Sequence, residues 1–349
     1  MPTRVLHVTE AMGGGIMTAC IEMVAAAPSQ RHDLLYARRG GYDTGDLTGV
    51  GFHRVTEASS RWSFFRALWR QLRTDPPDVL HLHSAWAGLL GRIVLGFPAR
   101  RIVYSPHSFW FERSSAPRPL RLLARVVERA LVLRTGYFVA VGPYEAEEAR
   151  GLGGRTVLVP NVVRLGELPP EVRPAAGERP RILAIGRLAA QKDPDFFRRV
   201  VRALREDHGL NVVATWVGGG DDAAARSLAA EAIEVTGWLL RREALARLRT
   251  CSVYVHTAAW EGNPMTVHEA VACGTPVVAR SIPSLTALGF PQDLDSPEDV
   301  AARVAEVVSS SRGDGTLLSP EAAAEEQARA LTAVYERVAA DGVLKDPPA

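Results

Sequence analysis

Lysine is nearly absent. Of 41 Lys and Arg side chains only Lys192 and Lys345 are lysine, so arginine is the default cation here. Against that background Lys192 reads as a position that needs a compact point charge rather than a planar fork. Lys345 sits in the terminal "LKDPPA", where chain ends fray. Cysteine is scarce too: Cys20, Cys251 and Cys273 are odd in number and scattered. That pattern fits a reducing cytoplasm, without a disulfide framework or a zinc site. No window approaches the roughly eighteen apolar residues of a membrane span, and "MPTRVLHVTEAMGGG" shows no secretory signal. The net charge of +2 is too small to argue for nucleic acid or a strongly acidic partner. The expectation is a soluble cytoplasmic protein, at most peripheral on the inner face of the cytoplasmic membrane.

What is present has a rhythm. Hydrophobic residues make up 47% and charged residues 23%, the balance of a globular protein. A chain of 349 residues suits two ordinary domains. Short apolar, β-rich runs alternate with longer helical patterns. The first series is "RVLHV" (4–8), "DVLHLH" (78–83), "RIVYS" (101–105), "YFVAV" (137–141) and "TVLVP" (156–160). The second is "RILAIG" (181–186), "NVVATWVG" (211–218), "EVTG" (234–237), "SVYVHT" (252–257) and "TPVVA" (275–279). Such strands between amphipathic helices predict α/β, doubly wound parallel sheets in Rossmann-like domains. The aperiodic, proline-rich "RLGELPPEVRPAAGERP" separates the series. The predicted division is a domain over 1–165, a linker over 166–180, a domain over 181–318, and a helical segment over 319–349 that suits packing on either domain, the first included. Two such domains facing each other would leave a central cleft.

Several stretches carry candidate chemistry. Gly13 to Gly15 lie between a strand and a helix, where glycine lets backbone approach a ligand and helix N–H groups favour anions. The run is not G-x-G-x-x-G and no acidic residue follows at a second strand end, so a dinucleotide site is not expected. An ordinary glycine-rich turn stays open. "AIGRLAAQKDPDFF" puts Arg187 just past a strand and Lys192 five residues on. Two cations at the carboxyl edge of a parallel sheet can neutralise a diphosphate, although a solvated loop would look the same. Asp193 and Asp195 resemble a metal motif, but Asp193-Pro194 reads better as helix cap and first turn, and Asp293 and Asp295 are read likewise. No metal is expected.

"AWEGNPMTVHEAVACGTPVVA" (259–279) is the most informative stretch. Asn263 can cap a helix, Pro264 suits its first turn, and Met265 and Thr266 then offer backbone N–H groups that suit a phosphate. Glu269 follows about 6 Å further along the axis, near the span from a diphosphate to the ribose of the same nucleotide, whose hydroxyls a carboxylate can accept. Glu261, on the approach, would sit on the sugar side.

This stretch resembles the E-x7-E signature of retaining GT-B glycosyltransferases, family 4 (group 1) especially. Similar matches run along nearly the whole chain: the glycine turn at 13–15, "HLHSAWAGLLGR" (81–92), "SPHSFWF" (105–111), "GRLAAQKD" (186–193), "WVGGGD" (216–221) and "VTGW" (235–238). Their order and spacing are more specific than any single piece. The resemblance implies the GT-B fold, a nucleotide-sugar donor (UDP- or GDP-linked) on the C-terminal domain, an acceptor on the N-terminal one, retention of anomeric configuration, and no cofactor or divalent metal. It implies Arg187 and Lys192 at the leaving diphosphate, Glu269 at the ribose and Glu261 at the donor sugar. The 263–266 backbone (Asn263, Pro264, Met265, Thr266) would cradle phosphate and sugar, and His107 would meet the transferring sugar. Gly14 and Gly15 would lie by the phosphates or acceptor, and Gly237 and Trp238 by the base. One departure stands out. After "VVAR" the family usually shows a glycine pair and an acidic residue, whereas "SIPSLTALGFPQDLDSPEDV" is abbreviated, which touches lid geometry and sugar preference.

His7, His81 and His83, in or near strands, read as structural. "RWSFFRALWRQLR" (61–73) places Trp62, Phe65, Leu68, Trp69 and Leu72 at helical spacing and reads as an ordinary covering helix. "RSSAPRPLRLLARVVERALVLR" (113–134), with six arginines, suits either such a helix or a basic amphipathic one on an anionic membrane. The expected function is transfer of a sugar from a nucleoside-diphosphate sugar to a sugar or lipid-linked glycan acceptor, in exopolysaccharide or other cell-surface glycan assembly. A sugar-nucleotide epimerase or a non-catalytic nucleotide-binding protein of the same fold are the alternatives.

Overall fold

A computed structural model describes residues 2–38, 47–94, 96–164, 178–310 and 320–343. Most of the expected linker, and Lys345, lie outside the described residues. The chain divides into two compact units, one from Met1–Glu112, Ala116–Val162 and Pro320–Ala349, the other from Arg113–Ser115 and Val163–Ser319.

The first unit opens with β1 (Arg4–Met12), α1 (Gly14–Ala26), β2 (Arg31–Arg38), β3 (Phe52–Ala58), α2 (Arg61–Thr74), β4 (Val79–His83) and α3 (Ala85–Ile93). It continues through β5 (Ile102–Ser105), α4 (Arg118–Leu131), β6 (Tyr137–Ala140), α5 (Pro143–Gly151) and β7 (Thr156–Leu158). The second unit holds β8 (Arg181–Ile185), α6 (Pro194–Glu206), β9 (Val213–Val217), α7 (Asp222–Ala230), β10 (Ile233–Val235) and α8 (Arg241–Thr250). Then come β11 (Val253–His256), α9 (Met265–Ala272), β12 (Val277–Ala279), α10 (Pro283–Thr286) and α11 (Pro297–Ser310). The last helix, α12 (Pro320–Val343), returns to the first unit.

All strand pairs are parallel, in the orders β3-β2-β1-β4-β5-β6-β7 and β10-β9-β8-β11-β12. Strand order reverses between β1 and β4 in one sheet and between β8 and β11 in the other. Those two carboxyl edges are the switch points where open α/β sheets bind ligands.

Strands buried on both faces explain the apolar runs. In the first unit Leu6, Val8, Leu80 and Leu82 pack with Phe64 and Leu68 of α2. Val5, Val79, Val103 and Val139, on the other face, pack with Met23 of α1 and with Leu331, Tyr335 and Val338 of α12. Gly88 lets α3 lie close to β5, because a Cβ there would stand 2.3 Å from the Tyr104 ring.

Two strands escaped the sequence reading. β2, "RHDLLYAR", opens on three polar residues, yet His32 and Asp33 are buried, Asp33 by ion pairs with Arg4 at 2.8 Å and Arg54 at 3.2 Å. β3 is an edge strand with mostly outward side chains. Residues 61–73 form the expected covering helix, with a different inward face. α2 buries Phe64, Leu68 and Leu72, while Trp62 (69% exposed) and Trp69 (44%) point outward.

The face of the first sheet beneath α1 and α12 is not wholly apolar. His7 lies in register with His81, and Thr9 with His83, so these imidazoles share a face. Burial holds His7, His81 and His83 well below the ordinary imidazole pKa and lowers that of His32. His107, just past β5, is lowered to about 4 for the same reason. Burial acts oppositely on two carboxyls of this unit, raising Glu112 to about 8 and Glu145 to about 7.

These shifts set the acid limit. A group with a depressed folded pKa contributes its stability above its unfolded pKa and loses it as pH falls toward the folded value. The raised carboxyls contribute below their unfolded pKa and lose it as pH rises through about 7 to 8. Five depressed imidazoles outnumber two raised carboxyls, so the urea midpoint is expected to fall between about pH 7 and pH 5. A flat or rising midpoint across that window would contradict the neutral-imidazole core.

Candidate functional site

In the second unit the chain leaves β8 at Ile185 and turns through Gly186, Arg187 and Leu188 into a loop that ends at α6. The neighbouring β9 supplies the floor. Gly186 N–H donates to Val217 O at 2.9 Å and Leu188 N–H to Gly219 O at 2.9 Å. A Cβ on Gly218 would stand 2.1 Å from the Gly186 carbonyl oxygen, so the close stacking of "WVGGG" on "GRL" needs glycine there. Asp193 accepts from Phe196 N–H at 3.2 Å as the cap of α6, with Pro194 in the first turn, and Asp195 pairs with Arg198 at 2.7 Å. The local reading of this D-x-D holds. At α11, by contrast, Ser296 and not Asp295 accepts the Asp299 N–H, at 3.1 Å.

Lys192 and Glu261 meet. The lysine ammonium makes an ion pair with Glu261 Oε1, close in distance although not aligned as a hydrogen bond. Both side chains are largely covered, 19% and 12% exposed. Three further bonds tie the loop after β8 to the segment after β11. Ala259 N–H donates to Gln191 O at 2.9 Å, Gln191 Nε2 to Trp260 O at 3.3 Å, and Thr257 Oγ1 to Lys192 O at 2.6 Å. These two loops flank the β8/β11 switch point, which is why residues 69 positions apart become neighbours. Arg187, partly buried on the same loop, makes no ion pair or hydrogen bond among the described residues.

α9 begins one residue later than the sequence suggested. Its cap is Pro264, with no side-chain cap, and Asn263 does not cap. The Asn263 Oδ1 instead accepts from His268 Nε2 at 2.5 Å, because proline at the cap leaves the first turn open and His268, one turn on, faces back to it. Met265 and Thr266 N–H groups have no acceptor among the described residues. Tyr254 O–H donates to Thr266 Oγ1 at 2.8 Å and fixes that side chain. Glu269, buried in α9, accepts from Arg241 Nε at 2.9 Å. Arg241 opens α8 and carried no signal in the sequence. Gly237 bridges to Gly218, and Trp238, 38% exposed, lays its indole Nε1 3.1 Å from where a Cβ on Gly219 would be. An exposed ring on a glycine shelf suits stacking of a flat base.

Gly14, Gly15 and His107 belong to the first unit. Gly13 precedes α1 without a side-chain cap, and Gly14 (φ 54°) and Gly15 begin the helix with no acidic residue in the first turn. His107 (φ 53°) and Ser108 (φ 89°) are both left-handed, a strain of roughly 1–3 kcal/mol each that surroundings must hold. Two carboxyls hold it: Glu145 accepts Ser108 N–H at 2.7 Å and Val141 N–H at 3.1 Å, and Glu112 accepts Ser108 Oγ at 2.6 Å and Phe109 N–H at 3.1 Å. Neither glutamate was singled out in the sequence; nothing in "FERSS" or "PYEAEEA" signals inward carboxyls.

Two family models match the chain, one described as Glycosyl transferases group 1 over residues 179–337, the other as Glycosyltransferase Family 4 over residues 13–167. An uncharacterized 41.2 kDa protein in the cps region of Klebsiella pneumoniae is 24% identical over 309 residues, 81% of this chain and 82% of that protein. The UDP-Gal:alpha-D-GlcNAc-diphosphoundecaprenol alpha-1,3-galactosyltransferase of Escherichia coli is 24% identical over 242 residues, 62% of this chain and 61% of that enzyme. Among solved structures, Anabaena HepE in complex with UDP-glucose superposes with a TM-score of 0.67 at 15% identity, over 97% of this chain and 98% of that one. The apo lipopolysaccharide outer core galactosyltransferase WaaB gives 0.60 at 17% identity, over 98% and 99%. At such identities the structural likeness speaks for the GT-B fold alone. The two family models between them span nearly the whole chain, and it belongs to the group 1, family 4 glycosyltransferases, a transferase enzyme of GT-B fold.

Proposed function

We propose that the chain is a retaining, metal-independent glycosyltransferase moving a sugar from a UDP-sugar to a lipid-linked glycan acceptor in cell-surface glycan assembly, with the donor on the second unit and the acceptor on the first. The carrying observation is Arg187, a partly buried cation without a counter-charge among the described residues, on the loop that also delivers Lys192 toward the uncapped start of α9. A pyrophosphate supplies the acceptor that Arg187 and the helix start lack, and a second anion for Lys192 beside Glu261. The relatives' substrates favour UDP: one is named for UDP-Gal, and the HepE structure holds UDP-glucose.

In the reaction the bond from the anomeric carbon to the phosphate oxygen breaks and its electron pair stays on the nucleoside diphosphate. The acceptor hydroxyl adds to that carbon from the same face, and its proton passes to a phosphate oxygen. Charge therefore builds on the diphosphate, where fixed cations and helix N–H groups stabilise it most. Glu261 shares Lys192 with the phosphates and orients the donor sugar. Glu269, braced by Arg241, is the carboxylate that would accept the ribose hydroxyls.

The acceptor reading draws on α4. Its only buried side chain is Glu128, clamped by fully buried Arg92 at 2.8 Å, while Leu120, Leu122, Leu123 and Val126 are exposed. Arg118, Arg121 and Arg125 line a pocket with Phe111, Glu112 and Tyr144. Apolar side chains beside arginines suit an anionic bilayer surface and a lipid-borne phosphate. No helix among the described residues is long and apolar enough to cross a membrane, so the contact proposed is peripheral.

Lys192→Ala is expected to lower turnover by roughly 10²–10³ in a chain that still folds, with a lower thermal unfolding midpoint because the covered Glu261 loses its partner. EDTA should be without effect on the parent enzyme, and an α-linked donor should give an α-linked product by NMR. Near-normal turnover would contradict the assignment, and an isomer appearing from donor alone would favour an epimerase. Leu122→Asp with Val126→Asp is expected to reduce co-sedimentation with phosphatidylglycerol vesicles. Unchanged co-sedimentation, or none in the parent, would remove the membrane contact.

A further inference from the structure

Four imidazoles in the first unit are hydrogen-bonded in a line. His32 Nε2 lies 2.8 Å from the Ala27 carbonyl oxygen, and His32 Nδ1 lies 3.0 Å from His7 Nε2. His7 Nδ1 lies 3.0 Å from His83 Nε2, and His83 Nδ1 lies 3.0 Å from His107 Nε2. The line begins on a backbone carbonyl and ends on a histidine of the candidate site. His7, His32 and His83 are buried, and two imidazolium ions cannot share one hydrogen bond in such a core.

A neutral imidazole has one N–H and one bare nitrogen, so the line has a single self-consistent solution. A carbonyl only accepts, which makes Nε2 of His32 the protonated nitrogen and Nδ1 the bare one. His7 must then donate from Nε2, His83 from Nε2, and His107 from Nε2. A separate set on the same face obeys the same rule. Ser105 Oγ donates to Val139 O at 2.8 Å, so it accepts from His81 Nε2 at 2.9 Å, and His81 Nδ1 accepts from Tyr335 O–H at 2.7 Å. Every nitrogen is assigned except Nδ1 of His107, left with a lone pair and no partner among the described residues.

We propose that His32, His7 and His83 are positioning residues that lock His107 as its Nε2–H tautomer, so that its Nδ1 is presented as a hydrogen-bond acceptor for a hydroxyl of the transferring sugar. The hydroxyl rests on the function proposed above; the lock does not. Its physical value is selectivity of role. An unconstrained imidazole would offer either a donor or an acceptor, whereas this one offers only an acceptor and holds its ring by a bond to a buried neighbour.

A metal centre is the rival reading, since ring nitrogens of His7, His81 and His83 lie within 4.8 Å of one another. All six of those nitrogens already have hydrogen-bond partners. An ion at roughly 2.0–2.1 Å from each ligand would have to take one nitrogen of each ring out of the hydrogen bond it already makes. The hydrogen-bonded line satisfies every group without that.

The test is long-range proton–nitrogen correlation NMR on the full chain with ¹⁵N-labelled histidine near neutral pH, which reports each ring's tautomer without any turnover. In the parent protein His32, His7, His83 and His107 should each show a protonated Nε2 and a bare Nδ1. His32→Phe removes the anchor, which is separated from His107 by His7 and His83, and His107 should then show the Nδ1-protonated form as well. His32→Gln, whose amide can donate to Ala27 and accept from His7, should restore the single form. A parent spectrum with any of the four protonated at Nδ1 or doubly protonated would overturn the proposal. So would an unchanged His107 in folded His32→Phe, or added zinc shifting His7, His81 and His83 together. Should His32→Phe fail to fold, the parent and His32→Gln spectra decide alone. An inactive chain with the locked tautomer would refute the glycosyltransferase reading and leave the lock standing.

Discussion

The contact between the Lys192 ammonium and the Glu261 carboxylate organises the second unit's site. Each comes from a loop beyond the carboxyl edge of the sheet, on either side of the point where strand order reverses, and each is largely covered. Covered opposite charges hold one another because neither can be left alone without a cost of several kcal/mol. The pair therefore sets the distance between the loop carrying Arg187 and the entry to α9. A compact ammonium suits this role, since it can turn its donors between a carboxylate and a phosphate, whereas a planar guanidinium favours one fixed fork. In a chain that otherwise uses arginine almost throughout, this is a physical reason for the exception at 192.

The fold was legible where strands are apolar on both faces. "VLHLH" and "RILAI" announce themselves because parallel strands have no solvent face to mark with polar residues. β2 and β3 were missed because His32 and Asp33 are polar yet buried, and because an edge strand is patterned by its exposed side. The site was legible as residue types at local spacing: Asp193 before proline, Arg187 and Lys192 on one loop, Glu269 within a helix. Its pairings were not. Arg241 with Glu269 and Lys192 with Glu261 depend on tertiary juxtaposition, and His268 with Asn263 on where the helix starts. Asn263 illustrates the limit well. Its type and place suited a cap, and one residue of slip in the helix start gave it another partner.

The first unit solves a different problem with the same economy of groups. His107 and Ser108 sit in a backbone region that side chains disfavour, and Glu112 and Glu145 each accept an amide of that turn. The imidazole itself is gripped from behind by His83. Read singly, His7, His81 and His83 are buried structural histidines. Taken with His32 and Ala27, His7 and His83 form a directional line whose open end lies in the motif "SPHSFW", while His81 bonds separately to Tyr335 and Ser105. Structural and functional roles of a histidine are thus not alternatives when its proton fixes its neighbour's.

The central claim is that Arg187, Lys192 and the open start of α9 grip the diphosphate of a sugar nucleotide. A crystal structure of the chain with UDP, grown in EDTA, tests it most directly. The account predicts phosphate oxygens within hydrogen-bond distance of Lys192 Nζ and of the Met265 or Thr266 amide, with the Arg187 guanidinium turned to the same group. UDP bound elsewhere, or phosphates held there by other groups while Arg187 and Lys192 stay clear of them, would contradict it.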